Sequence, residues 1–142
     1  MKNYFKILVL PLIVIVFTSC SNNDDDDSTV MFKATINGAS EVPASGSSAT
    51  GTATLTYNAT TKIFTLTATY SGITATAAHI HKGAVGSSGG VVFPLTAASP
   101  ISYTSTALDA SQEADLYANL YYINIHSQAF QAGEIRGQLI KQ

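Results

Sequence analysis

Three histidines are the only imidazoles in this chain of 142 residues, and all three fall in two short runs. The first is Ala78-His79-Ile80-His81-Lys82-Gly83 and the second is Tyr122-Ile123-Asn124-Ile125-His126. In an extended strand, residues two apart project from the same face. His79 and His81 therefore point the same way, with Cα atoms about 6.6–6.8 Å apart. On the second run Tyr122, Asn124 and His126 share one face, and Tyr121, Ile123 and Ile125 share the other. If the two runs are neighbouring strands in register, three imidazoles converge, each able to place a nitrogen about 2.0–2.1 Å from one ion. Three nitrogen ligands with an open fourth position suit Zn²⁺ or Cu²⁺. Histidine also serves in strands as an ordinary hydrogen-bonding residue, so spacing alone leaves a metal centre and an incidental cluster both open.

A second constellation lies near the end of the chain, at Glu134-Ile135-Arg136-Gly137-Gln138. Glu134, Arg136 and Gln138 alternate onto one face, which allows a Glu134–Arg136 ion pair or a ligand contact through the guanidinium. An exposed pair of this kind contributes only about 0–1 kcal/mol. Arg136 is the only arginine of the chain, and its planar fork suits a geometric task better than a lysine would. Gly133 points to a turn and Gly137 to a close backbone approach. No nucleophile elbow or phosphate-binding loop is present, and the one cysteine stands at position 20. No catalytic residue is assigned.

The elements that must carry these residues are strands. Phe32, Ala34 and Ile36 alternate with Lys33 and Thr35; Ala53, Leu55 and Tyr57 alternate with Thr52, Thr54 and Thr56; Phe64, Leu66, Ala68 and Tyr70 alternate with Thr65, Thr67 and Thr69. A period of two puts one face on a core and the other in water. Threonine on the wet face forms strands without charge, in keeping with a chain only 11% charged and 46% hydrophobic. Asn58-Ala59-Thr60-Thr61 reads as a hairpin loop, and Gly83–Gly90 (GAVGSSGG) as a flexible one. Further strands are expected at 73–81, 91–95, 101–105, 121–126 and 134–140. Residues 111–120 carry Ala114, Leu116, Tyr117 and Leu120 at helical offsets, with Ser111 as N-cap. The expected fold is all-β: an antiparallel, Greek-key-like β-sandwich of about eight strands with one short helix.

The N-terminus reads as an address. Lys2 and Lys6 precede the apolar run Ile7–Phe17, which as a helix would reach only about 16 Å, too short to span a bilayer core. Residues 1–19 are read as a lipoprotein signal peptide. Phe17-Thr18-Ser19-Cys20 resembles a bacterial lipobox, with Phe17 where leucine is usual, and this marks Cys20 for lipidation. Residues 20–29, containing Asp24–Asp27, form a lipidated acidic tether, and residues 30–142 form the domain. The serine after Cys20 resembles lipoproteins sent to the outer membrane, and the acidic run resembles a surface-export signal. The expected location is the outer membrane, lipid-anchored and exposed at the cell surface, with membrane contact through the anchor only. Past the tether, five basic residues (Lys33, Lys62, Lys82, Arg136, Lys141) balance five acidic ones (Glu41, Asp109, Glu113, Asp115, Glu134). With no basic stripe to meet phosphates, no nucleic acid is expected as partner.

Four ordered motifs carry a family resemblance: Phe32-Lys33-Ala34 with Glu41-Val42-Pro43, the His79/His81 run, the Tyr122–His126 run, and Gly133-Glu134-Ile135-Arg136-Gly137-Gln138-Leu139. Together they resemble the CHRD domain, the module repeated in chordin and found singly in secreted bacterial proteins. The resemblance implies an extracellular β module without assigning it a biochemical role; chordin's sequestering of a growth factor does not carry over to a single domain, and the expected partner is an extracellular protein or a small ligand. The His-Ile-His-x-Gly pattern also resembles a metal-ligand strand of copper-zinc superoxide dismutase. That enzyme uses more histidines, a zinc aspartate and a disulfide, so its mechanism does not transfer to three histidines and one cysteine. Three readings remain: a binding module with a His79/His81/His126 metal site, a metalloenzyme with Glu134 as general base, and a structural or adhesive surface domain. The first is favoured, because no second acid–base group accompanies Glu134.

Overall fold

The computed structural model describes residues 28–142. The signal peptide, Cys20 and the tether through Asp27 lie outside the described residues. The strands are β1 (Thr29–Asn37), β2 (Thr50–Asn58), β3 (Ile63–Ser71), β4 (Ala75–Lys82), β5 (Val91–Leu95), β6 (Ile101–Thr104), β7 (Tyr121–Ser127), β8 (Ile135–Gln138) and β9 (Ile140–Lys141), with one helix, α1 (Ala110–Tyr117), between β6 and β7. The order across the sheet is β5-β4-β7-β8-β1-β2-β3-β6, with β9 also paired to β1. Every pairing is antiparallel. The all-β antiparallel expectation with one short helix holds. The layers of the expected sandwich belong to one sheet, curled until its two edges meet.

The alternation explains the curl. Phe32, Ala34, Ile36, Ala53, Leu55, Tyr57, Phe64, Leu66 and Ala68 all turn inward and are buried, so the sheet must wrap this apolar face. Edge meets edge through aromatic rings: Phe93 of β5 packs edge-on against Phe64 of β3 at 5.2 Å and lies 6.2 Å from Tyr103 of β6. Gly137 permits a close approach, as expected. A Cβ there would sit 2.6 Å from the Thr35 carbonyl oxygen, so no other residue lets β8 lie so near β1.

Two expectations are corrected. The helix is capped by Asp109 and not Ser111: the Asp109 side chain accepts from the Gln112 N–H while the Gln112 side chain accepts from the Asp109 N–H. This capping box satisfies two orphan donors at once, which a serine two residues later cannot do. The helix turns only Leu116 fully inward, and Tyr117 packs edge-on against Tyr57 and Phe32. The second correction concerns the outer face. Every residue of β7 is buried, so its polar side is not solvated; loops cover it.

Because Phe64 closes the seam between the sheet edges at 0% exposure, Phe64→Ala should cost about 3–5 kcal/mol. Equilibrium urea unfolding of the variant beside the wild type measures this.

Candidate metal centre

Strands β4 and β7, with 38 residues between them in sequence, are hydrogen-bonded neighbours, with His79 opposite Asn124, His81 opposite Tyr122 and Ala77 opposite His126. The three imidazoles converge on the outer face. Each offers one nitrogen, and these nitrogens all lie within 4.8 Å of one another. His79 Nδ1 and His126 Nε2 are 3.1 Å apart, close to the roughly 3.3 Å edge of a tetrahedron with 2.0–2.1 Å metal–nitrogen bonds. No other group of three or more His, Cys, Asp or Glu of this kind occurs among the described residues.

The hydrogen bonds around the rings assign their tautomers. His81 Nδ1 lies 2.9 Å from the Gly89 carbonyl oxygen, and His126 Nδ1 lies 2.9 Å from that of Gln131. A carbonyl only accepts, so in the neutral rings Nδ1 carries the proton and Nε2 holds a lone pair. His126 Nε2 therefore accepts from His79 Nδ1–H. The Nε2 of His81 is sealed from solvent and has no hydrogen-bond partner. Outer-shell carbonyls on the non-ligating nitrogen are the usual way a protein orients a metal-binding histidine.

The carbonyl partners come from loops that close over the face. The Gly83–Gly90 loop, expected to be loose, is fastened by Arg136: Nη1 donates to Ser87 O at 2.9 Å and Nη2 to Ala84 O at 3.0 Å. The Arg136 guanidinium also lies 3.4 Å over the Tyr122 ring. His81 stacks on Tyr122 at 5.0 Å with planes 7° apart. Since β7 runs between β4 and β8, His81 and Arg136 sandwich the tyrosine. Tyr122 in turn accepts from the Gly89 N–H at 3.1 Å. A Cβ on Gly89 would sit 1.5 Å from the Lys82 carbonyl oxygen, so glycine is what lets its own carbonyl reach His81.

Glu134 and Arg136 share a face but do not bond to each other. Glu134 Oε1 accepts from Ser47 Oγ at 2.7 Å, Oε2 accepts from Ser127 Oγ, and its carbonyl accepts from Ser45 Oγ at 2.6 Å. It therefore pins the loop between β1 and β2. Nearby, buried Glu41 accepts from Asn124 Nδ2 at 3.3 Å. The spacing that grouped Tyr122, Asn124 and His126 held. Glu41, Gly89, Gln131, Ser47 and Ser127 had no sequence signal for their roles, since loop carbonyls and hydroxyls acquire partners only when the loops close.

Electrostatics favour uncharged rings at His79 and His81. Burial, then repulsion from the neighbouring imidazoles, holds His79 below its ordinary value. Burial also lowers His81, with His126 and the Arg136 cation adding to it against the Gly89 hydrogen bond. Burial raises Glu41, opposed by the Val42 N–H and by Arg136. Among the clefts of the described surface, four of about 290–610 Å³ are lined by residues other than the histidines, one by Glu41 and Arg136 and another by Glu41 and Gln131 among others.

The fold and its side chains thus define an antiparallel β module with a three-histidine cluster held ready by loop carbonyls. The chain matches the CHRD domain over residues 32–139 and belongs to that family. No curated protein and no solved structure matches it.

The lowered histidines make the metal-free domain sensitive to acid. Below the ordinary histidine value of 6.5, the unfolded chain binds protons that the folded rings resist, so stability is full above that pH and falls as pH drops through it. The raised Glu41 acts oppositely, losing its contribution as pH rises through its folded value. Urea midpoints of the chelator-treated domain should fall between pH 7.5 and 5.5, with a shallower fall in His81→Gln.

Proposed function

We propose that this CHRD domain is a surface-anchored extracellular binding module that holds a divalent ion, Zn²⁺ or Cu²⁺, through His79, His81 and His126. The observation that carries the reading is the sealed, partnerless Nε2 of His81 beside two convergent imidazoles. Leaving a buried acceptor unpaired costs about 1–3 kcal/mol, and a metal ion is the partner its lone pair fits. To ligate an ion through Nδ1, His79 would carry on Nε2 the proton it now donates to His126. Binding is favoured over hydrolytic catalysis because both Glu134 oxygens already accept serine hydroxyls. That takes up the general base the enzyme reading requires, and Glu41, whose Oε1 has no partner, lies outside the histidine cluster.

Calorimetric titration of the metal-free domain (residues 28–142) with Zn²⁺ and Cu²⁺ tests this. One-to-one binding should appear in the wild type and vanish in His79→Ala/His81→Ala. An ion at about 100 times its Kd should also raise stability by roughly 2.7 kcal/mol. Absence of binding in the wild type leaves a structural or adhesive domain with incidental histidines.

The address belongs to the same proposal: residues 1–19 are removed, Cys20 is acylated, and the acidic tether carries the domain from the outer membrane to the cell surface. More than one acyl chain gives stable anchoring, at about 0.8 kcal/mol per buried CH₂. Cys20→Ala should move the protein from the membrane fraction to the soluble one. Protease added to intact cells should cleave the wild-type domain; protection would place it on the inner side.

A further inference from the structure

Resting on the metal reading above, the donor set says what the open coordination position takes. Three neutral imidazoles contribute no charge, and no Asp, Glu or Cys belongs to the cluster. Glu134 places its oxygens on Ser47 and Ser127, and Glu41 bonds Asn124 through Oε2 and leaves Oε1 unpartnered, but neither carboxylate joins the cluster. The formal charge built into the stack on Tyr122 is the buried cation Arg136, and its field reaches His81. A divalent ion placed there receives no negative charge from its three ligands and keeps its full double charge, in surroundings where His126 is only 9% exposed. Water screens such a charge poorly, so an anionic fourth ligand is strongly preferred over a neutral one.

Shape narrows the class further. The four clefts given above are lined by residues other than the histidines. His79 and His81 stand only half-buried at the rim, which admits a small group on a protruding stem. Zinc and copper held by nitrogen ligands readily add a carboxylate oxygen. We infer that the loaded centre binds a carboxylate from outside the chain as its fourth ligand, so that the module recognises carboxylates through its metal.

The test uses the full chain in detergent with Co²⁺ as the spectroscopic ion. Cobalt titration first shows whether the centre loads, and its failure would overturn the metal reading and this inference together. The loaded protein is then titrated with acetate and, in parallel, with a short glutamate peptide, at constant ionic strength set by perchlorate. Both carboxylates should shift the visible cobalt bands saturably, azide should compete, and His79→Ala/His81→Ala should show no bands to shift. A peptide that saturates about tenfold or more below acetate assigns the carboxylate to a partner protein, and equal concentrations assign it to a free small acid. Bands that stay unmoved by acetate, peptide and azide up to about 100 mM, with cobalt bound, would overturn the carboxylate inference alone.

Discussion

Arg136 carries a positive charge at 2% exposure, and no carboxylate bonds to it. Taking a guanidinium out of water costs several kcal/mol unless its donors are met. Here they are met by Ser87 O, Ala84 O and Gln138 Oε1, with its plane laid on Tyr122. Two of those acceptors belong to the loop between β4 and β5, so satisfying the arginine draws the loop down on the sheet. Once the loop is down, Gly89 meets both His81 and Tyr122. The orientation and tautomer of the histidine thus follow from the placement of a cation on another strand.

The same constraint divides the domain into two interiors. Inside the curled sheet the side chains are apolar, and packing there needs no direction. Outside β7 and β8 lies a polar interior under loops, where every buried backbone group needs a partner. Glu134 holds one loop through Ser45 and Ser47, and Arg136 holds another. β7 sits between the two interiors, which is why it alternates apolar and polar residues and yet is buried throughout.

The face combines committed and spare groups. Glu134 and Arg136 are taken up in holding loops, while spare lone pairs remain on the three histidines and on the buried Glu41 Oε1 and Asn124 Oδ1. Loop carbonyls hold the rings of His81 and His126, so little rearrangement is required to accept an ion. The CHRD family match over residues 32–139 supports a binding or structural module.

Much of this was legible in the order of residues. Period-two alternation at Phe32–Ile36, Ala53–Tyr57 and Phe64–Tyr70 marks strands and inward faces, because a pleated strand allows no other reading of that pattern. The same rule groups His79 with His81, and His126 with Tyr122 and Asn124. The helix start was misplaced by two residues, because Asp109 and Ser111 are both competent caps and only Gln112 completes a box with the former. The pairing of Glu134 with Arg136 was not realised, because same-face spacing says where side chains point and not which loops descend to meet them. That β4 lies beside β7, across 38 intervening residues and in a register that brings three imidazoles together, is decided by tertiary structure alone. Backbone hydrogen bonds join any two strands alike, and only the packing of the whole sheet around one apolar face selects which strands become neighbours.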